Sequence, residues 1–191
     1  MIPLTSYNIV YLLSQALGVF SVYMLMRAFF EKRSVKKAIE VISFAGYYIL
    51  TASVYLVINI PIINFIVTLL SYFLLTFLYS SSVKKKNFVS LLVFVFGLCT
   101  EIMAVVSTGY INFPINETNK YNSIFGAVAA NVLFFVVSII VYGFKNIKND
   151  NVLPRSFWII LLIVPVLSLY VLAMFFQSSN LSAFEISTSV A

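Results

Sequence analysis

The sequence contains no histidine, one cysteine and only six acidic residues among 191. Each shortage removes a class of chemistry. Without histidine there is no Ser-His-Asp triad, no Cys-His nucleophile pair and no Cys/His zinc site, and the lone Cys99 cannot build a disulfide framework. Cys99 falls inside an apolar run and reads as packing. The chain is therefore not expected to be an enzyme, nor to hold a metal or cofactor. Charge is also scarce, at 9% of residues where a soluble domain carries about 25%, and hydrophobic residues make up 62% where about 45–50% is usual. An integral membrane protein is expected, as a single domain over residues 1–191.

What the sequence does have is long apolar runs. Six are read, over residues 7–30, 38–58, 61–80, 88–109, 122–144 and 155–176. At 1.5 Å rise per residue, about 20 residues cross a hydrocarbon layer of about 30 Å, so each run suits a helix. A transmembrane barrel would need strands of about ten residues with alternating polarity, and these runs do not alternate. The expected fold class is all-α: a polytopic bundle of six transmembrane helices. Residues 177–191, "QSSNLSAFEISTSVA", read either as an external tail or as the first turns of a seventh helix. The first run is not a cleavable signal peptide, because it is too long and its basic residues follow it.

The net charge of +6 is distributed unevenly. The breaks "EKRSVKK" (31–37), "SSSVKKKN" (80–87) and "KNIKNDNVLPR" (145–155), with Arg27 just before the first, hold 11 of the 12 basic residues, and the other connections hold only Lys120. Such asymmetry in short loops sets orientation, so the basic breaks are expected in the cytoplasm and the N-terminus outside. The same asymmetry accounts for the basic pI without nucleic acid as a partner. Lys84, Lys85, Lys86 and the 32–37 cluster could also meet anionic lipid headgroups, although topology alone explains their placement.

One acid breaks an apolar run. In "LLVFVFGLCTEIMAVVSTGYI" (91–111), Glu101 lies well inside the expected span, where an ionisable group costs at least about 2.5–3.5 kcal/mol and is functional by default. Counting inward from the external ends puts Glu101 and Asn131 both about 12–13 Å deep, with Gln15, Thr51, Thr68 and Ser168 within about a turn of that level. No lysine or arginine shares that depth, so Glu101 is expected to hydrogen-bond to Asn131 or Gln15 rather than form an ion pair. Two readings stay open. In one, this layer is the floor of an external ligand pocket, with Glu101 contacting a polar or cationic group. In the other, the polar side chains simply join the helices.

The longest external connection between helices, "YINFPINETNKYN" (110–122), offers Tyr110, Phe113 and Tyr121 as apolar contacts for a peptide-like ligand, with Glu117 and Lys120 for charge. The same aromatics also suit an ordinary interfacial belt. Two short glycosylation sequons, "NET" and "NLS", carry little weight. Pro165 removes one backbone hydrogen bond from the sixth run and is a hinge candidate.

The stretch "LPRSFWIILLIVPVLSLYVL" (153–172) joins a Leu-Pro pair, the aromatics Phe157 and Trp158, then Pro165 and Ser168. It resembles the sixth membrane helix of the sensor domains in AgrC-like histidine kinases of the GHKL class, found in Gram-positive bacteria. An acid in the fourth helix, here Glu101, is similar to that family too. The resemblance implies a cell-membrane receptor, commonly dimeric, that detects an external signal such as a secreted quorum-sensing peptide. It passes that signal to a cytoplasmic kinase module in a two-component system. The 191 residues hold no phosphate-accepting histidine and no glycine-rich nucleotide boxes, so sensing is the activity expected of them. The alternative is a small transport component, such as the six-helix substrate-binding subunit of an importer. Against it, the first helix, "LLSQALGVFSVYML", lacks the Ala-xxx-Ala docking pattern of those subunits.

Overall fold

The computed structural model describes residues 6–58, 61–110, 120–143 and 170. Within them the chain is all-α. Helix α1 spans Ser6–Phe29 and α2 spans Lys37–Ser53, continuing through a π-helical turn, Val54–Ile58. Helix α3 spans Pro61–Thr76, α4 Val83–Tyr110 and α5 Lys120–Gly143. Five of the six expected runs fall on these helices. The sixth, with Pro165 and Ser168, lies outside the described residues except for Tyr170.

Among the described residues four helices are long and apolar enough to cross a membrane: α1, α2 with its π turn, α4 and α5. Their outward faces support that reading. Leu13, Ile42 and Val57 stand 69%, 69% and 68% exposed, and leaving such a side chain in water forgoes about 1.5–3 kcal/mol each. In lipid there is no such loss.

The boundaries differ from expectation around the second basic break. Helix α3 stops at Thr76 instead of running to residue 80, and α4 begins at Val83 instead of residue 88. The reason is a pairing between two connections. Ser34 N donates to Leu78 O at 2.9 Å, Ser80 N donates to Lys32 O at 3.0 Å, and Arg33 and Tyr79 form an antiparallel bridge. After Thr76 the N–H groups of Phe77, Leu78 and Tyr79 still donate back to Leu74, Leu75 and Thr76 O in a tightened turn, but the carbonyls of Phe77 and Leu78 and the N–H of Ser80 are taken by the α1–α2 connection, so the helix ends there. At 16 residues, about 24 Å, α3 is shorter than a full crossing.

Helices α1 and α5 run parallel and pack most extensively. Gly18 faces Asn131, and further along Met24 Sδ lies 3.9 Å from Ser138 Oγ. Helix α2 runs antiparallel to α1, with Gln15 opposite Thr51 and Tyr23 edge-on to Phe44. Helices α3 and α4 also pair antiparallel, with Phe65 edge-on to Phe94. The core lies towards the basic end and is built on Val22, Leu25, Met26, Phe30, Val93 and Phe96.

Candidate functional site

Helix α2 is polar on its inner side and apolar on its outer side. Its buried residues Glu40, Phe44, Tyr47 and Thr51 recur at helical spacing, so they form one stripe, while Ile42, Ile49 and Leu50 face outward. This inverts the pattern of a helix in water. Gln15 Nε2 of α1 donates to Thr51 Oγ1 at 3.4 Å, a long contact, while Thr51 Oγ1 donates to Tyr47 O at 2.9 Å. One turn towards the basic end, the Tyr47 ring lies 5.7 Å from that of Tyr72 on α3. A polar strip therefore runs across α1, α2 and α3. It continues away from the basic end as Tyr48, which donates to Leu12 O at 3.1 Å, and Tyr11, whose ring stacks on Tyr55 at 4.0 Å.

Glu101 lies beside this strip. It is nine residues before the end of α4, about 13 Å along the axis, on the end away from the basic connections. Its side chain is exposed on the bundle, on the flank of α4 that carries it past the middle of the helix. Tyr47 and Tyr72 are within electrostatic reach of it. Among the described residues it has neither a hydrogen bond nor an ion pair. The expected partners are engaged elsewhere: Asn131 Nδ2 donates to Ala127 O at 2.9 Å, and Gln15 meets Thr51.

Asn131 instead does a packing job. Its side-chain oxygen sits where a Cβ on Gly18 would be, so glycine at position 18 leaves room for the Asn131 side chain between α1 and α5. Thr68 is half-buried on α3. Tyr110 closes α4 and Tyr121 lies in the first turn of α5. The side chains of Tyr110 and Tyr121 lie outside the described residues, as do Phe113, Glu117 and Pro165. Several polar residues bond to their own helix, as Ser21 does to Leu17 O and Thr100 to Gly97 O, rather than joining helices. Among the described residues no buried side-chain nitrogen or oxygen lacks a partner, and no three His, Cys, Asp or Glu side chains gather as a metal site.

A second acid, not singled out by the sequence pattern, is buried on α2. Glu40 is 1% exposed; its Oε1 accepts from Tyr79 at 2.7 Å and its Oε2 pairs with Arg33 Nη1 at 3.2 Å. Tyr79 is itself fully buried and stacks on Phe30 at 5.0 Å. It lies beyond the last turn of α3, where burial first, then the carboxylate it donates to, raise its phenol above the ordinary range, so it stays a donor. In "KKAIE" this acid resembles a solvated charge beside lysines. The signal that would have found it is the inward stripe it shares with Phe44, Tyr47 and Thr51.

Comparison with protein-family models, with curated proteins and with solved structures finds no match, so the reading of function rests on these residues.

Proposed function

We propose that this bundle is the membrane sensor of a two-component receptor, in which Glu101 receives a polar or cationic group of an extracellular ligand. The observation that carries the reading is the contrast in partners. Among the described residues every buried polar side-chain atom is satisfied, and of the two acids on apolar spans Glu40 is paired whereas Glu101 has no described partner and is exposed. An ionisable group held at that depth without a partner serves packing poorly and serves recognition well. The basic end, with ten of the 12 Lys and Arg in the short breaks and Arg27 just before the first, is then cytoplasmic, and Glu101 lies towards the outside. The resemblance of residues 153–172 to AgrC-like sensors supports the same assignment and adds a homodimer and a cytoplasmic kinase module.

Helices α1 and α5 are the elements suited to carry the signal. They are parallel, they meet closely at Gly18 and Asn131, and they continue to the basic end. A ligand that binds one packing of this pair better than another shifts its population, and a displacement of about 1–2 Å is enough for such a switch.

Cysteine labelling tests the access of this position without knowledge of the ligand. In a Cys99→Ala background, Glu101→Cys should react with a membrane-impermeant thiol reagent added from outside. Reaction only with a lipid-soluble reagent would mean that Glu101 faces lipid, and the pocket reading fails. In the complete receptor, Glu101→Gln and Glu101→Leu should lose signalling while expression is retained; lowered expression with signalling intact would mean a structural acid. The reading frame after Ala191 is a cheap further check, because a histidine kinase needs an Asn- and Gly-rich nucleotide-binding domain in the same polypeptide.

A further inference from the structure

The basic end is more than a set of orienting charges. Orientation requires only that lysines and arginines lie in the connections on one side. Here two lysine clusters far apart in sequence are fastened together. Lys32, Lys36 and Lys37 belong to the α1–α2 connection and the start of α2, whereas Lys84, Lys85 and Lys86 open α4. The fastening is the paired backbone of Lys32–Ser34 with Leu78–Ser80 and, beneath it, the buried contact of Glu40 with both Arg33 and Tyr79. Ring contacts tie the lysines to this frame. Lys85 Nζ lies 5.8 Å from the centre of the Phe30 ring, and Lys86 Nζ lies 4.5 Å from that of Phe77.

Holding like charges together is unfavourable, and the two acids at hand offset only part of it: Glu40 is spent on Arg33, and Glu31 is the one acid within the two connections themselves. Lys36 and Lys37 open α2 and Lys84, Lys85 and Lys86 lie in the first turn of α4, the positive end of each helix dipole, which adds to the repulsion. Phe77, Val83 and Phe88, exposed at 48%, 60% and 40%, lie among these lysines, so the patch sits where headgroups give way to acyl chains. Cations at headgroup level, with apolar side chains beside them, match a lipid that has a negative phosphate above a hydrocarbon tail.

We propose that the clamped connections form one binding site for an anionic phospholipid of the adjoining leaflet, its phosphate held by lysines from both clusters. The site is a product of the clamp: without it there would be two separate basic loops with diffuse attraction only.

The test uses the whole chain reconstituted in vesicles of equal parts phosphatidylcholine and phosphatidylglycerol, then transferred to neutral detergent, with retained lipid counted by mass spectrometry. Wild type should retain phosphatidylglycerol several-fold over phosphatidylcholine. The triple variants Lys84→Gln/Lys85→Gln/Lys86→Gln and Lys32→Gln/Lys36→Gln/Lys37→Gln should each abolish the preference. Independent losses of about half from each would mean two separate patches and overturn the single site. Glu40→Gln is the sharpest variant, because it makes this end more positive while loosening the clamp. Attraction by charge alone predicts more retained phosphatidylglycerol, and the clamped site predicts several-fold less. Should Glu40→Gln fail to fold, Tyr79→Phe decides: it leaves the charge unchanged and should lower the preference, and an unchanged preference contradicts the proposal. Excess glycerol phosphate should not displace the lipid; displacement would mean a soluble phosphate site instead.

Discussion

Glu40 and Glu101 are both acids on apolar helices, and the protein treats them in opposite ways. Glu40 is sealed at the basic end, with a phenol at 2.7 Å and a guanidinium at 3.2 Å. Glu101 reaches the surface with no such partner among the described residues. A buried carboxylate must be paired or it is lost to protonation or unfolding, so the surroundings of Glu40 are those of a structural part. An acid left without a partner at membrane depth keeps its hydrogen-bonding capacity for something else. The comparison teaches that position in a span is a poor guide to role; the set of partners is the better one.

The comparison can be broken most severely at the clamp. Arg33→Ala removes one partner and leaves the buried Glu40 charge uncompensated, which costs about 3–5 kcal/mol in fully buried pairs and nearer the lower figure here because Arg33 is partly open. Unfolding in mixed micelles should show that loss directly. Tyr79→Phe deletes the hydrogen bond but keeps the ring stacked on Phe30, for about 1.5–3 kcal/mol by the same measurement.

Next comes the helix contact, with an effect of about 1–3 kcal/mol for overpacking. Gly18→Ala places a Cβ on the Asn131 oxygen, so the Asn131 side chain must leave its place between α1 and α5 or the helices must part. The double variant Gly18→Ala/Asn131→Ala should recover part of the loss, and strict additivity of the two changes would contradict the contact. Gln15→Leu loses the long bond to Thr51 and should cost only about 0.6 kcal/mol. The smallest change is Glu101→Gln, which removes no described contact and should leave stability unchanged.

Much of the fold could be read directly from the apolar runs. Charge clusters end them, and α1, α2 and α5 lie within a few residues of their expected limits. The ends of α3 and α4 were not legible, because a backbone pairing between Ser34 and Leu78 has no signature in local sequence. The site was legible in height and not in direction. Counting residues gives depth along each axis, which is why Gln15 and Thr51 do meet at the expected level. Successive residues of a helix turn by about 100°, so equal depth says nothing about facing, and Glu101 and Asn131 were paired by depth alone. Glu40 escaped notice because lysines precede it, and only the α2 stripe reveals that it points inward.

The central claim is that Glu40 holds the bundle and Glu101 serves a ligand. The direct test measures the thermal unfolding midpoints of Glu40→Gln and Glu101→Gln side by side in one membrane mimetic. The account predicts a clear fall for Glu40→Gln and no change for Glu101→Gln; a fall for Glu101→Gln as large as that for Glu40→Gln would contradict it.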